Sequence, residues 1–155
     1  MNNDNKEKEQ FSVDTLASTL TKMGKDILTV STLPALLPKM VEVIVSESES
    51  ANLSIRRIFY SKEKPSDNDY NRLEYFVMKN MQAKEILNKL RIAYGTQFER
   101  DKNYIKLTKL VNIFESSIIP LLKSKEEGQI ILDKCKEKGV DLNLLCKDFR
   151  MIAEV

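Results

Sequence analysis

Residues 68–98 read NDYNRLEYFVMKNMQAKEILNKLRIAYGTQF. Leu73, Phe76, Val77, Ala83, Leu87, Leu90 and Tyr94 recur there at helical spacing, the last four at alternating steps of four and three. That is a heptad-like seam, the spacing of side chains on one face of a long helix that packs against other helices. The seam predicts a helix from about Asn68 into the nineties. Pro65 opens the loop before it, and Ser66 or Asp67 is placed to cap it. Gly95 follows the last strong member of the seam. Either it caps the helix or it lets another backbone come close. Because helical spacing resumes through Phe98, Ile105, Leu107, Leu110, Ile113, Phe114, Ile118 and Leu121, the sequence favours a joint or kink at Gly95.

The same periodicity extends outward in both directions. Ser12 can cap a helix over roughly 13–29, with Leu16, Leu20, Met23 and Ile27 on one face. Ser31 or Thr32 can cap a second helix, with Pro34 in its first turn and an apolar stripe at Leu36, Leu37, Met40, Val41 and Ile44. The acidic and polar run "SESESAN" (46–52) reads as a break, and a short helix follows from Leu53 or Ser54. Towards the other end, Pro120 is expected to bend or stop its segment. Ser124 with Glu127 has the spacing of a capping box, Gly139 that of a C-cap, and Asp141 opens a last helix. With few glycines and prolines and no strand-like alternation, the expectation is an all-α, single-domain helical bundle of about six or seven helices over 11–155, behind a disordered polar tail at 1–10.

Composition excludes more chemistry than it suggests. The chain of 155 residues contains no histidine, which removes His-based acid–base catalysis, His-activated nucleophiles and His metal ligation. No phosphate-binding Gly-rich loop, HExxH, EF-hand loop or CxxC occurs. Carboxylate pairs at Asp67/Asp69 and Glu126/Glu127 fall in first helical turns, where capping explains them. Ser116 and Ser117 have no nearby base in an otherwise apolar helix. Cys135 and Cys146 read as buried or partly buried thiols rather than metal ligands. The expectation is no catalytic residue, no metal and no cofactor. The polar start and the lack of a membrane-length apolar run suggest a cytoplasmic protein with no membrane association.

The net charge of +2 conceals a bias. Residues 51–110 carry 13 basic and 7 acidic side chains, flanked by segments of net −3 and −1. Arg56 and Arg57 precede the long helix, Arg72, Lys79, Lys84 and Arg91 flank its seam, and Arg100, Lys102, Lys106 and Lys109 follow it. Such cations lay their stems over a core and hold their charge in water. Alternatively they form one outer surface that meets a polyanion. Tyr60, Tyr70, Tyr75, Tyr94 and Tyr104 are interleaved with them. Stacking on bases is one use for these rings, but helical spacing favours core packing, Tyr94 included.

The segments "LSIRRIFY" (53–60) and "LRIAY" (90–94), joined by a long helix, resemble the small helical subunit of type III CRISPR–Cas effector complexes. That family shows a Ser/Thr-x-hydrophobic-Arg start to a short helix and, further on, Leu-Arg, a short apolar pair and Tyr. The chain departs from the family in three places. Gly95 and Arg100 stand where the family has an adjacent Gly-Arg, "FRMIAEV" replaces an aromatic-rich terminal helix, and the first fifty residues have no counterpart. The resemblance implies an all-α protein without catalytic activity, stacked as a homo-oligomeric filament among other protein subunits and presenting cations to RNA phosphates. By position, Arg56 or Arg57 and Arg91 match the family's basic positions, and Arg100 does so with a two-residue insertion after Tyr94. Lys84, Lys102 and Lys106 join the RNA-binding candidates on charge alone. The alternative is a helical adaptor or regulator that binds another protein, such as a bacterial secretion-system component or effector. The polar tail, the acidic break and the many apolar seams favour that second reading.

Overall fold

The structure, a computed structural model, describes the backbone of residues 13–142 and 145, with side chains from residue 33 onward. The described residues are helical, with no strand among them. Four helices account for most of the described residues. Helix α1 runs Val13–Phe59 and α2 runs Asp67–Tyr94. Helix α3 is continuous but changes pitch: an α segment at Lys102–Ile113, a π segment at Phe114–Ile118 and an α segment at Ile119–Lys123. Helix α4 is Glu126–Lys138.

This is fewer helices than the six or seven expected, and most of the difference lies in α1. The three predicted N-terminal helices are one. Pro34 and Pro38 sit inside it. Each proline removes a ladder hydrogen bond at a cost of about 3 kcal/mol. Burial of Leu33, Leu36, Leu37, Met40 and Ile44 around them contributes about 1.5–3 kcal/mol per side chain and outweighs it. The "SESES" run is not a break either. The Ser46 and Ser48 hydroxyls donate to the carbonyls of Val43 and Val45 within the helix (3.0 and 2.8 Å).

The hairpin of α1 and α2 is closed as the sequence suggests. Ser66 is the N-cap of α2 and forms a full capping box with Asp69. Of the α2 seam, Leu73, Phe76, Val77, Ala83 and Leu90 are buried, with Leu87 and Tyr94 packed at the edge. At the far end Gly95 adopts φ 61° and donates its N–H to the Arg91 carbonyl at 2.8 Å. It is therefore a C-cap that ends α2, and a left-handed residue is what this position requires. Five more residues of turn follow before Asp101 caps α3 by accepting from the N–H groups of Asn103 and Tyr104.

Pro120 neither stops nor ends its helix. The π segment precedes it, with the Ile119 N–H reaching back to the Phe114 carbonyl, so the missing proline donor falls where the ladder is already rearranged. Helix α4 starts without the predicted capping box. Its N-cap is Lys125, and the Ser124 hydroxyl donates to the Leu121 carbonyl instead. The tight α3–α4 corner demands Gly128, because a Cβ there would lie 2.1 Å from the Leu122 carbonyl oxygen. Lys125 ties this corner to the end of α1 by donating to the Phe59 carbonyl at 3.0 Å. Gly139 caps α4 as expected, with φ 70°. The predicted tail at 1–10 and Cys146 lie outside the described residues, as does most of the helix that Asp141 was expected to open.

Candidate functional site

The basic side chains are where the sequence located its candidates, and the fold divides them. Arg56 and Arg57 stand in the last turn of α1, beside the start of α2. Arg91 stands in the last turn of α2, about 30 Å further along that helix at 1.5 Å per residue. The two matches to the family's basic positions therefore lie at opposite ends of the hairpin.

Arg57 is engaged. Its Nη1 is 3.0 Å from the Asp69 Oδ1, and Asp69 is itself buried. Asp69 also accepts from the Ser66 N–H and hydroxyl and, at 3.4 Å, from the Ser54 hydroxyl. The backbone hydrogen bond from Ser66, with help from Arg57, holds the Asp69 carboxyl below its ordinary range against the opposing effect of burial. This cluster closes the α1–α2 loop.

Lys84 is also engaged, in an ion pair with Glu115 across the α2–α3 interface. Lys79 is nearly buried, its ammonium 5.0 Å from the centre of the Tyr75 ring. Tyr94 packs edge-to-face on Phe98 with ring centres 5.2 Å apart, which is the core role expected of it.

Arg91, Arg100, Lys102 and Lys106 are exposed, and none of them makes an ion pair among the described residues. They gather at the α2–α3 turn, but they do not all face one way. Arg91 lines a groove of about 160 Å³ between α2 and α3, together with Lys84, Asn88, Tyr104, Thr108 and Glu115. At about 100° per residue, Lys102, Lys106 and Lys109 form a stripe roughly 160° around α3 from Tyr104, on its outer face. The turn therefore presents cations on two sides, and Arg100 is exposed in the turn itself.

Two features had no signal in the sequence reading, the Glu74 ion-pair hub and the cleft beside it, whereas the burial of Cys135 was expected. Glu74 binds both Lys134 (3.3 Å) and Lys138. Hydrogen bonding to Lys138 is the largest cause holding its carboxyl below the ordinary range. Cys135 is buried beside it, its Sγ 3.6 Å from the Glu74 carbonyl oxygen, and burial pushes the thiol up to about 11. A cleft of about 420 Å³ lies between α2 and α4, lined by Asp67, Tyr70, Glu74, Glu127, Ile130 and Lys134. Among the described residues no cluster of Cys, Asp and Glu is placed to hold a metal ion, and no helix is long and apolar enough to cross a membrane.

Comparison with known proteins finds no matching family model, no matching curated protein and no matching solved structure.

Proposed function

We propose that this chain is a non-enzymatic helical subunit of a ribonucleoprotein complex that contacts RNA phosphates, as the sequence resemblance to type III CRISPR–Cas small subunits implies, and that the contact is made at the α2–α3 turn. One observation carries the reading. Arg91, Arg100, Lys102 and Lys106 are exposed and without ion pairs among the described residues, whereas Arg57 and Lys84 are held by Asp69 and Glu115. Free cations at a turn meet a flexible strand more readily than paired ones, because no existing salt bridge has to be broken. Without histidine this surface lacks His-based acid–base chemistry, and its exposed cations favour a binding role.

Fluorescence anisotropy with a single-stranded RNA tests it. Affinity should fall with added salt at a slope of about −0.7 per phosphate neutralised. Arg91→Glu with Arg100→Glu should weaken binding and flatten that slope, while Arg56→Glu at the other end should change neither. No binding at low salt, by the protein alone or in its native assembly, removes the reading.

The helical adaptor has an observation of its own. Helix α1 has 47 residues and its partner α2 has 28. By sequence, Leu16, Leu20, Met23 and Ile27 share one face of the additional length, the pattern of a helix laid into a partner's apolar groove. A protein partner retained by the wild type, free of nucleic acid and lost with Leu20→Glu plus Ile27→Glu, would favour it.

A further inference from the structure

The stripe of α1 that the bundle buries does not stop where the bundle stops. Leu37, Val41, Ile44, Ala51, Ile55 and Ile58 are buried, and they fall on the a and d positions of one heptad register. Counted back towards the start of α1, the same register lands on Val13, Leu16, Leu20, Met23, Ile27 and Val30. Each of these successive positions is apolar. Pro34 and Ser48 are the exceptions along the whole register.

The length of α1 carries this seam past its neighbour. Helix α1 has 47 residues and α2 has 28. The Arg57–Asp69 pair sits at the loop that joins the two antiparallel helices. The difference in length, 19 residues, therefore extends beyond the end of α2, an arm of about 28 Å. The arm is built from weak helix formers, among them Ser18, Thr19, Thr21, Gly24 and Thr29. A single helix of this length and composition is marginal in water, so burial of its seam has to stabilise it.

The seam is its own complement. In two antiparallel arms Val13 faces the partner's Val30, Leu16 the partner's Ile27 and Leu20 the partner's Met23. Every a position then meets a d position. The flanking e and g positions, where charges select a partner, hold Ala17, Thr19, Gly24, Asp26 and Ser31, with a single charge among them. Burying the seam side chains of two arms removes about 700–1,400 Å² of apolar surface from water. A small stable interface needs about 1,200 Å². Parallel arms would set two α2–α3 turns side by side, each with Arg91, Arg100, Lys102 and Lys106 exposed, and like charges repel. Antiparallel arms hold the turns apart.

We propose that the start of α1, residues 13–31, is a dimerisation arm that forms an antiparallel two-stranded coiled coil with the same segment of a second copy of this chain. The inference is independent of the RNA reading. It gives the seam to a second copy rather than to the different protein of the adaptor reading.

Sedimentation velocity of the full chain across the micromolar range tests it, because the fitted mass separates association from elongation. Mass should rise with concentration from one chain to two. Leu20→Lys puts a charge into the seam and should weaken dimerisation by at least about tenfold. Lys22→Glu, at an outward position of the same register, should leave it unchanged. If Leu20→Lys does not fold, disulfide cross-linking carries the test. In a Cys135→Ala, Cys146→Ser background, Val13→Cys mixed with Val30→Cys should give a disulfide dimer that neither variant gives alone. A wild type that stays at the mass of one chain, or that associates only with a different protein, overturns the proposal. So does a dimer that Leu20→Lys leaves intact, or a disulfide formed by Val13→Cys alone, as parallel arms would give.

Discussion

Arg57 in the last turn of α1 and Asp69 in the first turn of α2 meet at 3.0 Å across the loop that joins the two helices. Asp69 thus serves as a capping-box acid for its own helix and as the anchor for the preceding one. Asp69→Asn keeps the shape but loses the charge, and should destabilise the protein by about 1–2 kcal/mol in urea unfolding. Arg57→Gln should cost less, about 1 kcal/mol or below, because the guanidinium is largely exposed. The pH dependence follows from the direction of the shift. The folded-state pKa lies below the ordinary 3.8, so this contribution is complete above that value and is lost as pH falls through the folded pKa. An acid-unfolding profile of Asp69→Asn that is flatter than that of the wild type below pH ~4 would support this.

Gly128 fixes the α3–α4 corner. Alanine there gains helix propensity of about 1 kcal/mol, yet its Cβ would meet the Leu122 carbonyl oxygen at 2.1 Å. Overpacking of this kind costs about 1–3 kcal/mol or more. A net loss of up to about 2 kcal/mol is expected for Gly128→Ala by thermal denaturation, and a gain in stability would show that the corner is looser than described.

Cys135 should behave as an inert thiol. Its sulfur is buried and its pKa is raised to about 11, chiefly by burial, so the reactive thiolate is scarce at neutral pH. In a Cys146→Ser background, labelling by a water-soluble disulfide reagent should proceed only as fast as the protein opens and should become rapid in denaturant.

Glu115 neutralises Lys84 at the margin of the α2–α3 groove that Arg91 lines. On the RNA reading, Glu115→Gln frees a cation and should strengthen binding a few-fold, steepening the salt slope by about 0.7. Stability should change by less than about 1 kcal/mol, as for other exposed pairs. Unchanged affinity would place the contact elsewhere on the turn.

Ser46→Ala with Ser48→Ala should stabilise α1 by up to about 0.5 kcal/mol each, because these hydroxyls only bond back to their own helix. Far-UV circular dichroism during urea unfolding measures it. A loss of helix would restore "SESES" as a true interruption.

That last pair shows where the sequence was and was not legible. Periodicity located the α2 seam, and local chemistry located the Ser66 cap and the Gly139 end, because each is decided by side chains a few residues apart. Prolines and serines in α1 carry the same local signal as a break, yet burial of Leu33, Leu36, Leu37 and Met40 by distant helices overrides it. The candidate site failed in a similar way. Charge counting found the cations, but their partners Asp69 and Glu115 lie 12 and 31 residues away, and Arg56 and Arg91 are separated by a helix length.

At 1.5 Å per residue, the 47 residues of α1 span about 70 Å. A sphere of 155 residues is roughly 40 Å across. The molecule should therefore tumble slowly for its mass and elute early from a sizing column even as a monomer. A small-angle scattering distance distribution should extend well beyond its main peak.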